Sequence, residues 1–200
     1  MANTTNKLII NQTIANYFRN LHDVEVNQKY AGVRALPYSF HLDMVAEQAK
    51  LFGNLTTMSD NALTFALYGH DAIEDARLTY HDLLAKAKDL IHSEVFDQMA
   101  VDAIYYCTEC RGKNRDERHS AEYYEGLCNR PNAIYVKLCD IIANVKFSLL
   151  ENSSMFNKYK SEWVTFRTYL FKHVPNDLLE IYSPMITYLN DLLSIIIPNK

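Results

Sequence analysis

The sequence predicts an all-α protein, and three observations lead to that class. Apolar residues make up 48% of the 200-residue chain, and they recur at helical spacing, whereas the alternation typical of strands is hard to find. Only five Gly and five Pro interrupt the chain, which leaves long stretches free for helices. A chain of this length buries roughly 70% of the surface that its unfolded form exposes. We therefore expect one helical domain over 1–200, with its core at about 6–151 and a helical extension at about 152–200.

Apolar stripes, caps and breakers predict the helices of the N-terminal half. The stripe that predicts the first helix consists of Ile9, Ile10, Ile14 and Phe18. Gly53 is expected to end the second helix. Thr79 and Asp82 approximate a capping box at the start of the fourth. The predicted spans are 6–22, 38–52, 59–75, 79–92 and 93–108.

Charge and proline mark the breaks in the C-terminal half. The segment 111–118 is rich in charged residues and contains a glycine, so we expect a loop there. Pro131 stands where the first residue of a helix is expected, and Pro184 is expected to break or kink the last helix. The predicted spans are 120–128, 132–150, 159–173 and 177–196.

Charge and hydropathy narrow the functional class and the location. The formal net charge of −4 argues against a general nucleic-acid binder. No apolar run is long enough to span a membrane, and the first apolar run is too short for a signal peptide. We therefore expect a cytoplasmic protein with reduced thiols. Cys107 and Cys110 have the spacing of half a zinc site, but ordinary thiols are favoured because a second such pair is missing.

Two histidines and two aspartates stand out by their order along the chain, and each lies in or at the end of a predicted helix. They are His41, the pair His70 and Asp71, and Asp140. Imidazole and carboxylate together form a mixed nitrogen and oxygen ligand set. Such a set suits a divalent transition ion such as Mn or Fe, with water in the open positions. These four residues therefore predict a metal site.

An acidic pair follows the histidine–aspartate pair at helical spacing. Glu74 and Asp75 come four residues after His70 and Asp71, and residues four apart share one face of a helix. Carboxylates and imidazoles so close together repel or desolvate one another unless a cation lies among them. The pair therefore supports the metal interpretation and adds two candidate catalytic residues.

A polar stripe runs along the predicted helix at 132–150. Lys137, Asp140 and Asn144 are spaced by three and four on a helix that is otherwise apolar. Buried polar groups need partners, which a metal, a substrate or water would supply. Lys137 fits either a salt bridge to one of the aspartates or a phosphate contact. Tyr38, about one turn before His41, is a candidate for the wall of the pocket.

The order of these residues resembles the signature of the HD-domain phosphohydrolases. The chain is most similar to the hydrolase domain of the RelA/SpoT alarmone enzymes and to the small stand-alone alarmone hydrolases. The similarity covers about 27–150. The matching stretches are Arg34 to His41, His70 to Asp75, Thr79 to Leu83, and Val136 to Asp140 with Asn144.

The resemblance implies a helical bundle of the HD type that holds one Mn²⁺, with Fe, Co or another divalent ion as alternatives. It implies removal of the 3′-pyrophosphate from (p)ppGpp, the alarmone of the stringent response, by a metal-activated water. Glu74 and Asp75 would position and deprotonate that water. The implied metal ligands are His41, His70, Asp71 and Asp140. The substrate-binding candidates are Arg34, Tyr38, Lys137 and Asn144.

Some positions depart from the family pattern near the expected nucleoside pocket. Ile141, Ala143 and Phe147 replace the Arg, His and Thr that are frequent in the family, and Gly69 replaces a usual Leu. These departures leave two alternatives open: an HD nucleotidase for another nucleotide, such as a deoxynucleotide, an adenosine alarmone or NADPH, or a non-catalytic nucleotide-binding regulatory module. In each case the partner is a small nucleotide, without nucleic acid or membrane, and an oligomer is compatible with the sequence.

Overall fold

The computed structural model describes residues 7–31, 34–109 and 115–195, without the side chains at 115 and 116. This part of the chain is mostly helical, as expected. The helices are α1 (Gln12–Asn20), α2 (Ser39–Phe52), α3 (Asp60–Gly69), α4 (Tyr80–Leu90), α5 (Glu94–Cys107), α6 (Arg115–Arg118), α7 (Ala121–Cys128), α8 (Pro131–Leu150), α9 (Met155–His173) and α10 (Asn176–Ser194).

The connection between α1 and α2 contains structure that the sequence did not predict. A π-helical turn at Leu21–Glu25 continues α1. Two short strands, β1 (Lys29–Tyr30) and β2 (Leu36–Pro37), then pair antiparallel. Strands of two residues are too short to produce a detectable alternation pattern.

The predicted start of the first helix was wrong. The Asn11 side chain accepts hydrogen bonds from the amides of Thr13 and Ile14, so it is the N-cap and the helix begins at residue 12. Ile9 lies before this cap and is 71% exposed, whereas Ile14 and Phe18 are fully buried. The apolar pattern in the sequence therefore extends to the N-terminal side of Asn11, the residue at which the helix begins.

The third helix is also shorter than predicted. It ends at Gly69, and 70–75 forms a series of turns instead of the expected helix. The His70 ring nitrogen Nδ1 donates to the Leu67 carbonyl at 2.8 Å. That carbonyl would otherwise accept the amide of Asp71 in a continuing α-helix, so the side chain competes with the helix.

Most capping predictions are confirmed. Thr79 and Asp82 form a reciprocal capping box at α4, Gly53 follows α2 with a φ of 77°, and Pro131 opens α8. The predicted start of α9 was wrong, since the helix begins four residues earlier. Pro184 does not break the last helix, since α10 continues through it. Of the loop predicted at 111–118, residues 115–118 form the short α6, and 111–114 lie outside the described residues.

Helix α8 is the centre of the packing. It contacts α2, α5, α7, α9 and α10 along its length, and α2 and α3 pack on each other as well. Because α9 and α10 also pack on α8, the segment predicted as an extension shares its buried surface. None of the described helices combines the length and apolar character needed to cross a membrane. The packing of α2, α3 and α8 brings the candidate ligands together.

Candidate metal centre

Three elements supply the predicted ligands to one buried point. His41 lies in the first turn of α2, His70 and Asp71 follow α3, and Asp140 lies in the middle of α8. The two Nε2 atoms of His41 and His70 are 3.2 Å apart. Asp71 Oδ2 lies 3.5 Å and 2.9 Å from these two nitrogens. Asp140 Oδ1 lies 3.4 Å and 3.7 Å from them.

These distances fit a shared cation. One ligand atom each from His41, His70 and Asp71 all lie within 4.8 Å of one another, so this buried group could hold a metal ion. Bonds of about 2.0 to 2.2 Å to such an ion place neighbouring ligand atoms about 3 Å apart. The 2.9 to 3.7 Å separations around the two imidazoles are close to that value. Asp140, the fourth predicted ligand, is not part of this group but lies beside it, with Oδ1 at 3.4 and 3.7 Å from the two imidazole nitrogens.

The ring of His70 has the tautomer that cation binding requires. Its Nδ1 contacts the Leu67 carbonyl at 2.8 Å. A carbonyl oxygen can only accept a hydrogen bond, so Nδ1 carries the proton. In the neutral ring the Nε2 lone pair then faces His41 and the aspartates. A backbone carbonyl on the second ring nitrogen is the usual way in which a protein orients a metal-binding histidine.

Protonation of the four residues is strongly linked. Burial alone would lower the pKa of His70, but the charge and hydrogen bond of Asp71 raise it to about 9. Burial would also raise the pKa of Asp71, but the charge of His70 holds it well below the usual range. The pKa of Asp140 is lowered against its burial, chiefly by Lys137. The aspartates therefore stay ionised, and positive charge is strongly favoured between them.

Two tyrosines enclose His41. The Tyr38 hydroxyl, a predicted substrate contact, donates to Asp71 Oδ2 at 2.5 Å. The Tyr30 ring stacks on the His41 ring with centroids 4.9 Å apart, and its hydroxyl donates to Asn144 Oδ1 at 2.8 Å. The His41 Nδ1 is buried without a hydrogen-bond partner among the described residues, so this ring is held by its Nε2 contacts and by the stacked tyrosine. Tyr30 had no signal in the sequence beyond its position in the connection.

The two residues of the acidic pair, Glu74 and Asp75, have different surroundings. Glu74 Oε1 accepts the backbone N–H of Glu109 at 2.5 Å. Burial, followed by the charge of Asp71, raises the pKa of Glu74 to about 7. Asp75 is exposed and accepts the Gln28 side-chain amide at 2.7 Å. Glu74 therefore has a carboxyl group poised between its two protonation states near neutral pH.

A buried ion network lies beside Asp140. Lys137 Nζ is 2.7 Å from Glu109 Oε1 and 3.2 Å from Asp140 Oδ2. Glu109 Oε2 is also 2.8 Å from the His119 ring. Burial opposes the charge on Lys137, but Glu109 raises its pKa well above the usual value. Glu109 and His119 were not predicted as site residues, because only the packing of α5 and α7 against α8 brings them to this point.

Of the remaining predicted substrate contacts, one is bonded to a candidate ligand and one is not. The Asn144 side-chain amide donates to Asp140 Oδ1 at 2.5 Å, so it belongs to the network. Arg34 has an exposed guanidinium whose Nε lies 3.0 Å from Glu151, so it anchors the connection after β1 to the end of α8. A cavity of about 300 Å³ has Glu109 and Arg118 on its wall, between the ends of α5 and α7.

Comparison with protein-family models, curated proteins and solved structures finds no match for this chain. What the centre can do is therefore inferred from its residues. They offer two imidazoles and the Asp71 carboxylate for a cation, with the Asp140 carboxylate beside them, and the half-buried Glu74 carboxyl group can exchange a proton near neutral pH.

Proposed function

We propose that the chain is a metal-dependent phosphohydrolase with an HD-type helical bundle, and that it acts on a phosphorylated nucleotide. The observation that carries the proposal is the buried meeting of His41, His70 and Asp71, with Asp140 beside them. Removal of the 3′-pyrophosphate from a (p)ppGpp-like alarmone is the first candidate reaction, because the order of the residues resembles that of the alarmone hydrolases. A cytoplasmic location belongs to the proposal, and the buried free thiols of Cys107, Cys128 and Cys139 are compatible with it.

His41, His70, Asp71 and Asp140 would hold the ion, with Mn²⁺ as first choice. When bound, such an ion acidifies a coordinated water and polarises a phosphoryl oxygen. Glu74 would accept the proton of the attacking water, since its raised pKa of about 7 leaves it able to take up a proton at neutral pH. Asp75 would orient the water or the substrate from the more exposed side.

The contacts of the other predicted residues support two roles: some would position the metal ligands, and others would bind the substrate. The Tyr38 hydroxyl would fix Asp71, since it already donates to that carboxylate. Lys137 would balance the charges of Glu109 and Asp140. Arg34 would contact a phosphate after exchanging its ion pair with Glu151, while Asn144 would meet the sugar or a phosphate after exchanging its bond to Tyr30.

One observation favours a different nucleotide as substrate. Phe147 stands where the family frequently has Thr, and its ring packs on Tyr30 with centroids 4.9 Å apart. Tyr30 in turn occupies the acceptor of Asn144. The sugar side of the site is therefore more aromatic than the family pattern implies. A deoxynucleotide, an adenosine alarmone or NADPH is the second candidate substrate.

A nucleotide panel tests the proposal. The Mn²⁺-loaded protein is incubated with ppGpp, pppGpp, deoxynucleotides, adenosine alarmones and NADPH, and released pyrophosphate and orthophosphate are measured separately. Pyrophosphate from ppGpp supports the first reaction, and phosphate release from another nucleotide alone supports the second. Tight nucleotide binding without turnover by a metal-loaded protein would contradict both and indicate a regulatory module.

A further inference from the structure

Glu109 contacts three groups around the candidate centre. Its backbone N–H donates to Glu74 Oε1 at 2.5 Å. One carboxylate oxygen accepts from Lys137 Nζ at 2.7 Å, and the other lies 2.8 Å from the His119 ring. The residue is only 8% exposed. None of these groups is a neighbour of Glu109 in the sequence, so the contacts are created by the fold.

The end of α5 explains why the Glu109 amide is available. Thr108 leaves the helix in an extended conformation with a ψ of 126°, and its own amide bonds back to Tyr105. Its hydroxyl donates to the Ile104 carbonyl at 2.9 Å. The next amide therefore points away from α5 and meets Glu74 instead of a helical carbonyl. This contact fixes one oxygen of the proposed base.

The carboxylate of Glu109 has a separate effect through Lys137. The lysine lies between Glu109 and Asp140, so two carboxylates share one ammonium group. If Glu109 were neutral, Asp140 would be the remaining carboxylate in ion-pair contact with Lys137 among the described residues. A lysine paired only with Asp140 would oppose any cation that uses the same carboxylate, since removing one partner of a buried ion pair leaves its charge uncompensated.

We infer that Glu109 is a positioning residue of the metal centre, which fixes Glu74 through its amide and leaves Asp140 free for a cation by balancing Lys137. The inference rests on the metal site of the proposed function. The carboxylate of Glu109, outside the ligand set, thus controls the affinity for the ion, while its backbone amide sets the place of the base.

Calorimetric titration of the metal-free full chain with Mn²⁺ measures the affinity for the ion and tests the inference without relying on turnover. Glu109→Gln keeps the size and the backbone amide but removes the charge, and we expect affinity to fall about tenfold or more. The double variant Glu109→Gln/Lys137→Met removes both charges and should recover most of the lost affinity. Glu125→Gln makes the same change at an exposed position of α7 and should bind as the wild type does.

Two results would overturn the inference alone: equal Mn²⁺ affinity in Glu109→Gln and wild type, or a double variant as weak as the single one. If Glu109→Gln fails to fold, Glu109→Asp keeps the charge but withdraws it from Lys137. A loss of a few-fold in that variant would support the inference, and unchanged affinity would overturn it. A wild-type chain that binds no divalent ion would overturn the metal centre and the inference together, whereas binding without nucleotide turnover would overturn only the proposed reaction.

Discussion

The two ring nitrogens of His70 have different partners, and that difference decides which of them faces a cation. Nδ1 bonds to the Leu67 carbonyl, while Nε2 faces His41 and Asp71. When the ring is protonated, the aspartates stabilise its positive charge. The same position can therefore hold either a proton on the imidazole or a metal ion, and the two compete.

Stability of the metal-free protein should fall with pH because of this residue. The pKa of His70 in the folded protein is about 9, above its usual 6.5. Its contribution to stability is therefore fully present below pH 6.5 and is lost as pH rises through 9. We expect a loss of about 2 to 3 kcal/mol over that interval. Urea unfolding at pH 6.5 and 9.5 with a chelator present measures it.

The His70→Gln variant is the control for this pH effect, because it should show a much flatter profile over the same interval. Glu74 contributes a further loss of stability at lower pH. Its pKa in the folded protein is about 7 and its usual value is 4.5, so this loss occurs as pH rises from 4.5 through 7. Equal pH dependence in wild type and His70→Gln would contradict the assignment. Added Mn²⁺ should stabilise the wild type more at pH 9 than at pH 6.5, because the ion replaces the proton.

Glu74 is expected to affect turnover without affecting the ion. Glu74→Gln keeps the acceptor for the Glu109 amide but cannot take up a proton, so turnover should fall about 100-fold or more. Its Mn²⁺ affinity should stay within about twofold of wild type, since Glu74 is outside the proposed ligand set. Steady-state kinetics on the nucleotide that the panel identifies gives the first value, and calorimetry the second.

The matched control for Glu74 is Glu47→Gln on the exposed side of α2, where the side chain is 62% exposed. It should retain wild-type turnover. Full activity of Glu74→Gln would show that another group accepts the proton, and Asp75 would be the next candidate. Loss of bound ion in Glu74→Gln would instead place this carboxylate among the ligands.

At the scale of secondary structure, the end of α3 sets the position of two ligands. Gly69 is the last residue of that helix. A Cβ atom there would lie 2.7 Å from Phe18 Cζ and 2.8 Å from Ile104 Cδ1, far inside normal contact distances. Glycine therefore permits α3 to pack closely against α1 and α5 immediately before His70 and Asp71.

Gly69→Ala should be destabilising despite the higher helix propensity of alanine. We expect a loss of about 1 to 3 kcal/mol, because the methyl group must push apart two buried side chains. The shift should also move His70 and Asp71, so Mn²⁺ affinity should fall as well. Chemical denaturation and metal titration of the same preparation measure both effects.

Gly126→Ala in α7 is the matched control. Its new Cβ would meet Tyr106 at 3.6 Å, an ordinary contact, so the variant should be neutral or more stable by about 0.5 to 1 kcal/mol. Similar stabilities of the two alanine variants would mean that the approach of α3 to its neighbours is looser than described.

Sequence reasoning worked best where local chemistry decides the structure. The capping box of Thr79 and Asp82 and the proline at the start of α8 depend on residues within one turn, and both were predicted. The end of α3 was missed because a side chain, His70, takes over a helical acceptor. The strands β1 and β2 were missed because two residues are too few to show an alternation pattern.

At the scale of the whole molecule, α8 connects the parts of the centre. It carries Lys137, Asp140 and Asn144 and packs against α2 and α5. The sequence singled out His41, His70 and Asp71, which the fold does bring into one group that could hold a metal ion, and Asp140, which lies beside that group. It could not predict Tyr30 or Glu109, since their contacts to Asn144 and Lys137 span 114 and 28 residues of chain. Such contacts depend on the tertiary packing of the strand connection and the helices.

Anomalous X-ray diffraction from crystals soaked in Mn²⁺ would show directly whether an ion binds at His41, His70, Asp71 and Asp140. We predict one anomalous peak per chain at about 2.0 to 2.2 Å from the Nε2 atoms of His41 and His70, with oxygens of Asp71 and Asp140 also bound to it. The peak should be absent in His70→Gln. A fully soaked crystal with no peak among these four side chains, or with an unchanged peak in that variant, would contradict the account.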